Sequence, residues 1–100
     1  MAKRKIVWSP YAENDLLKIL EYFYIRNGSK TYSAKLNSKI RKAVRLLSNH
    51  PFLGLQSDIE NVRTLVEGDY AIFYQVESEV IRITTIWDCR QNPENLTAPK

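Results

Sequence analysis

Three arginines, Arg63, Arg82 and Arg90, fall on or beside candidate strands, and three lysines, Lys35, Lys39 and Lys42, recur at helical spacing upstream of them. Guanidinium groups hold carboxylate or phosphate through paired N–H donors, and lysine holds either as a point charge. Both groups therefore suit an anionic partner. Other chemistries find little to work with. One His and one Cys cannot make a zinc site, and no carboxylate cluster has calcium or magnesium spacing. The three glycines are scattered, so no loop is built to cradle nucleotide phosphates. A nucleophilic triad would need His50, which sits after a helix and before Pro51, where imidazole commonly meets helix carbonyls. Cys89 has no second cysteine to pair with and reads as a small, half-buried side chain.

The distribution of charge says more than its net value of +4. From Asn27 to Ser57 there are six cations, Lys30, Lys35, Lys39, Arg41, Lys42 and Arg45, and no carboxylate; from Asp58 onward eight acids face four bases. Solvated helices usually mix signs in i,i+4 pairs, so a stretch without acids favours capture of nucleic acid or an acidic protein segment. A basic face kept only for solubility is the alternative.

The elements that must position these groups follow from periodicity. Lys5–Trp8 is a short strand. Ser9-Pro10 is a helix start, with Ser as cap and Pro at the first position, where a missing N–H does no harm. Ala12, Leu16, Ile19, Leu20 and Phe23 line one helical face, and Asn27-Gly28 ends it. A second helix runs from Ser29 to about Ser48 with Leu36, Ile40, Ala43, Val44 and Leu47 inward. At 100° per residue Lys35, Lys39 and Lys42 share one flank of that stripe and Arg41 with Arg45 the other, so the outer surface is cationic. Pro51 stops the helix, and Phe52-Leu53-Gly54-Leu55 is expected to plug one end of the core.

Strands at Val62–Val66, Tyr70–Val76 and Val80–Trp87, joined by short turns, form an antiparallel meander. Alternation places Ile81, Ile83, Thr85 and Trp87 on one face of the last strand, and Val80, Arg82, Thr84 and Ile86 on the other. Arg82 is then expected on the open face, joined by tyrosines of the central strand, or paired with neighbouring acids. The fold class is α+β in the order β-α-α-β-β-β. A helical hairpin packs on one face of a small, mainly antiparallel twisted sheet, in a single domain spanning 1–100 with a frayed tail from about Asn92. The composition, 44% hydrophobic and 26% charged, suits a soluble domain. No apolar run approaches the roughly 20 residues that cross a bilayer. With no secretion signal and a single cysteine, the chain is expected in the cytoplasm.

The assembled pattern resembles the RelE/ParE superfamily of bacterial toxin–antitoxin modules. The matching pieces are Ser9-Pro10-Tyr11-Ala12-Glu13-Asn14-Asp15-Leu16, His50-Pro51-Phe52-Leu53-Gly54, Val62-Arg63-Thr64-Leu65, Gly68-Asp69-Tyr70-Ala71-Ile72-Phe73-Tyr74 and Ile83-Thr84-Thr85-Ile86-Trp87-Asp88-Cys89-Arg90. The resemblance implies the same β-α-α-β-β-β fold and a cognate antitoxin whose C-terminal segment wraps the toxin. One branch, RelE-like, cuts mRNA on the ribosome without a metal. That chemistry must activate the 2′-hydroxyl, neutralise the phosphorane and protonate the leaving oxygen. An Arg directly after the Tyr of the "GDY" turn serves it, and here that place is Ala71. Losing such a preorganised cation costs on the order of 10²–10³ in rate. Trp87 stands nearest the branch's terminal His or Tyr, and indole does not transfer protons usefully, whereas Arg90 matches a basic residue at the end of the last strand.

The resemblance therefore points to the ParE-like branch, non-enzymatic inhibitors of DNA gyrase, with Lys35, Lys39, Lys42, Arg63, Arg82 and Arg90 contacting target or antitoxin. The alternatives are a ribosome-dependent mRNA endoribonuclease using Arg63, Arg82 and Arg90, and a stand-alone basic nucleic-acid-binding module. A smaller reading of Ala71 is that it makes room for a helix residue or for Trp87. No cofactor, metal, membrane or small-molecule substrate is expected.

Overall fold

The computed structural model describes residues 3–90, and the tail expected from Asn92 lies outside them. Its elements run β1 (Lys5–Trp8), α1 (Pro10–Asn27), α2 (Thr31–Leu46), β2 (Leu55–Gln56), β3 (Val62–Glu67), β4 (Tyr70–Val76) and β5 (Val80–Asp88). The sheet order is β1-β5-β4-β3-β2. β1 lies parallel to β5, and the other neighbours are antiparallel. The extra strand β2 is a two-residue rung on the β3 edge that carries no period of its own for a sequence reading to detect.

Local chemistry sets the helix ends. The Ser9 hydroxyl accepts from Ala12 N–H at 3.0 Å, and Pro10 occupies the first helical position. Gly28, at φ 67°, caps α1 through its N–H to the Tyr24 carbonyl at 3.0 Å. The hairpin lays its two apolar stripes on one face of the sheet. Ala12, Leu16, Phe23, Leu36, Ile40, Ala43, Val44 and Leu47 meet Tyr70, Ile72, Tyr74, Ile81, Ile83 and Ile86, with Ile6, Trp8, Ile19 and Leu20 partly buried around them. Each large aliphatic side chain buried there contributes about 1.5–3 kcal/mol.

The expected alternation along β5 breaks in the middle. Tyr74 pairs with Ile83 but Phe73 pairs with Thr85, so Thr84 is an extra residue in the ladder. Before the bulge the core takes Ile81 and Ile83; after it the core takes Ile86, while Thr85 and Trp87 turn to the helix-free face opposite Phe73 and Ala71. Side chains to either side of an inserted residue cannot keep one phase, which is why simple alternation misplaced Thr85, Ile86 and Trp87. The bulge is held in place. Thr84 Oγ1 donates to the Phe73 carbonyl at 3.1 Å, and the Thr84 carbonyl accepts from Ser9 Oγ at 3.0 Å.

The loop after α2 also differs from expectation. Phe52, Leu53 and Leu55 are 61, 52 and 76% exposed, and the buried parts of the loop are Pro51 and Gly54. Tyr74 does the plugging instead. Its hydroxyl donates to the Pro51 carbonyl at 2.9 Å and accepts from Gly54 N–H at 2.8 Å, so the loop is fastened over a core phenol and its apolar side chains are turned out.

Candidate functional site

The helix-free face of the sheet is assembled by register. Val7 pairs with Arg82, and Arg82 with Gln75. Phe73 lies between Thr85 and Thr64, Ala71 between Trp87 and Val66, and Leu55 stands beside Thr64 at the far edge. This face is β-branched and aromatic at its centre, with Lys5 and Arg82 as its cations toward the β1 edge. Ala71, 6% exposed, lies directly across from Trp87, so the small residue in a bulky strand faces an indole. Its second reading, room for Trp87, has a direct structural counterpart.

Arg82 lies on this face as expected, but without tyrosines beside it. Tyr70 and Tyr74 are 3 and 0% exposed on the core side. Arg82 instead pairs with Glu77 at 2.9 Å, and the hydrogen bond from Arg82 holds that carboxyl below the usual range. Arg63 pairs with Tyr74 in the ladder and therefore projects to the opposite face. Its Nη1 donates to the carbonyls of Gly54 at 2.7 Å and Phe52 at 3.4 Å, and its guanidinium lies 5.0 Å from the Phe52 ring centre. It fastens the same loop that Tyr74 closes.

Arg90 sits beyond the other end of β5, hydrogen-bonded to both oxygens of Asp88 at 3.0 and 2.9 Å and to Tyr70 Oη at 3.3 Å. The bond from Arg90 lowers the Asp88 carboxyl, and the same pairing raises the Arg90 guanidinium. Burial pushes the Tyr70 phenol up to about 12 despite Arg90 nearby. From Arg82 to Asp88 the strand covers on the order of 20 Å. The structure thus separates the three arginines onto two faces and two ends of the sheet. Arg90 does help enclose a cavity of about 410 Å³ with Lys18, Ile19, Tyr22, Phe23, Arg26 and Asp88.

Lys35, Lys39, Lys42, Arg41 and Arg45 are all exposed on α2. Arg41 donates to Asn37 Oδ1 at 2.9 Å and lies 5.1 Å from the Trp8 ring centre. Among the described residues none of these five forms an ion pair, so the outer surface of α2 is cationic.

His50 is exposed and its backbone N–H, rather than its ring, reaches the helix carbonyl of Leu46. Cys89 is exposed, not half-buried, because the turn after β5 directs it outward while its N–H bonds Asp69. Asp15 has a role that periodicity did not reveal. Its Oδ2 accepts from Ile86 N–H at 3.1 Å, covering a backbone donor on the edge of β5 beyond the end of β1. Burial raises its carboxyl above the ordinary range. Asp15 is one of three acids on α1, with Glu13 and Glu21, and nothing in the linear pattern sets it apart from the other two.

No curated protein matches the chain in sequence. Solved structures match it in fold. The chromosomal ParDE toxin–antitoxin system from P. aeruginosa aligns at TM-score 0.74 with 23% identity, covering 84% of this chain and 94% of that one. The RelBE2 toxin–antitoxin complex from Mycobacterium tuberculosis aligns at 0.60 with 17% identity, covering 88% and 93%. The DinJ-YafQ toxin–antitoxin complex from E. coli aligns at 0.54 with 17% identity, covering 86% and 92%. The family model described as ParE toxin of the type II toxin-antitoxin system, parDE, matches residues 6–93. That span takes in both helices, β2 to β5 and all of β1 but Lys5, with Ala71, Trp87 and the cationic α2 inside it, and the chain belongs to the ParE toxin family of type II toxin–antitoxin systems.

Proposed function

We propose that this toxin acts without catalysis, as an inhibitor of DNA gyrase, and is neutralised by a cognate antitoxin. The observation that carries the reading is the Ala71–Trp87 pair. The position that would present a cation at the centre of the helix-free face holds a methyl group against an indole, and the one arginine on that face is paired with Glu77. A surface of this kind excludes water and docks protein; it offers nothing to neutralise a phosphorane. An antitoxin partner is supported by the similar structures, which are toxin–antitoxin systems, and by the lysine flank of α2, which suits an acidic segment. Arg63, Arg82 and Arg90 contribute to partner recognition through the parts of their guanidinium groups left uncovered.

One observation favours a second reading, ribosome-dependent RNA cleavage: Arg90 and the Tyr70 hydroxyl lie 3.3 Å apart, a cation beside a proton donor. The phenol is 3% exposed and its proton is held to about 12, which weighs against proton transfer near neutral pH.

The deciding experiment adds purified toxin to gyrase supercoiling assays and, separately, to translating ribosomes with mapping of mRNA ends. Loss of supercoiling with intact mRNA is expected. Cuts at ribosomal A-site codons would replace the proposal with the second reading.

A further inference from the structure

A second cavity, of about 280 Å³, lies on the side of the molecule away from Arg90, between the segment before β1 and the start of β3. Arg4, Phe52, Gln56, Asn61, Arg63 and Ser78 line it. Arg4 Nε donates to the Glu77 carbonyl at 2.8 Å, and Arg63 Nη1 is taken up by the Gly54 and Phe52 carbonyls. Both arginines are half-buried, yet neither has an ion-pair partner among the described residues. Glu77 also borders the cavity, but its carboxylate is held by Arg82 at 2.9 Å. The two cations are anchored by backbone carbonyls, and among the described residues other N–H groups of each guanidinium have no hydrogen-bond acceptor, so both can turn donors to an anion in the cavity.

We propose that this cavity is a nucleotide site that takes a terminal phosphate monoester together with its attached base. Charge decides the head group. A carboxylate would balance one guanidinium, whereas a phosphate monoester, at about −1.5 to −2, balances both. The surroundings decide what is attached to it. Phe52 is 61% exposed, with the Arg63 and Arg4 guanidinium carbons 5.0 and 5.9 Å from its ring centre, so the part of the ring that the two cations leave uncovered offers an apolar surface on which a planar base can lie beside the phosphate. The carboxamides of Gln56 and Asn61 carry donors and acceptors that match a base edge. Asn61 is fixed at φ 66°, with its carbonyl receiving the Val76 N–H at 3.0 Å, so that the backbone carrying its amide is set before a ligand arrives. The site lies at the Arg4–Arg63 end of the sheet and shares Arg63 with the recognition set proposed above, so its test reads nucleotide binding by the isolated toxin and not toxicity.

The test is calorimetric and NMR titration of the intact toxin with adenosine 5′-monophosphate, adenosine, inorganic phosphate, and a short oligonucleotide with or without a 5′-phosphate. Saturable binding of the monophosphate is expected, with adenosine and inorganic phosphate weaker by about tenfold or more. Arg4→Gln should weaken the monophosphate by about tenfold, and Phe52→Ala should weaken the monophosphate more than it weakens inorganic phosphate. Lys39→Gln, which removes the same charge elsewhere, should have little effect. Preference for the 5′-phosphorylated oligonucleotide would identify a strand terminus as the ligand; preference for the mononucleotide would identify a free nucleotide. The proposal is overturned by absence of saturable binding, by inorganic phosphate binding as well as the nucleotide, or by equal losses from Lys39→Gln and Arg4→Gln in variants that retain wild-type melting.

Discussion

Ala71 and Trp87 face each other across the β4–β5 ladder on the side of the sheet that no helix covers, and Val66 flanks Ala71 from β3. They share that side only because Thr84 is inserted in β5. The inserted residue thus sets which side chain stands across from the small one: with it, Trp87 shares the helix-free side with Ala71 instead of entering the core.

This pairing predicts that bulk at position 71 is resisted. Ala71→Leu should lower stability by about 1–3 kcal/mol through overpacking against Trp87. Trp87→Ala in the same chain should recover part of that loss, seen as a non-additive double-mutant cycle in urea unfolding. Strict additivity would show that the two side chains do not share space.

The loop after α2 hangs on Gly54, whose missing side chain admits the Thr64 carbonyl and the Tyr74 hydroxyl. A Cβ built there would lie 2.7 Å from each oxygen. Gly54→Ala should therefore cost about 2 kcal/mol or more. Tyr74→Phe should cost about 1–3 kcal/mol by stranding the Pro51 carbonyl and Gly54 N–H. Because the Thr64 oxygen remains, the Tyr74→Phe background should relieve only part of the Gly54→Ala loss. Unfolding midpoints of the three variants check this.

Asp15 gives a signed pH dependence. Burial raises its carboxyl in the folded chain, so the folded state binds that proton more tightly than the unfolded state. Its contribution is therefore most favourable at or below the ordinary carboxylate range and is lost as pH rises through the raised value. Asp88 and Glu77, lowered by Arg90 and Arg82, act in the other direction: their contributions are present above the ordinary range and lost as pH falls. Asp15→Asn keeps an acceptor for Ile86 N–H, so its melting temperature relative to wild type should climb between about pH 4 and neutrality. Asp15→Ala should be destabilised by about 1–3 kcal/mol, since the N–H loses its partner. A flat difference curve for Asp15→Asn would contradict the burial argument.

The lysine flank of α2 makes an ionic-strength prediction. Replacing Lys35, Lys39 and Lys42 together by Gln should change stability by only about 0.5 kcal/mol, because all three are exposed. Antitoxin affinity should fall at low salt, with wild type and variant converging as salt rises. Identical salt profiles would take this surface out of the interface.

The amino-acid sequence by itself determined the helices, the meander and their order, because capping residues and periods of 3.6 and 2 are local properties. Ser9-Pro10, Gly28 and the stripe from Leu36 to Leu47 could be read directly and are found in place. It also exposed the vacancy at Ala71 and the run of cations without acids. Tertiary structure alone decided what fills that vacancy and which charged groups meet. One inserted residue, Thr84, changes the phase of everything after it, and no local period announces an insertion. The partners of the arginines were likewise settled by strand register and by carbonyls at loop ends, which place Arg63 on one face, Arg82 on the other and Arg90 at the far end of the sheet. Contacts of that kind depend on how distant segments align, and a linear pattern carries no record of alignment between segments until the core has packed.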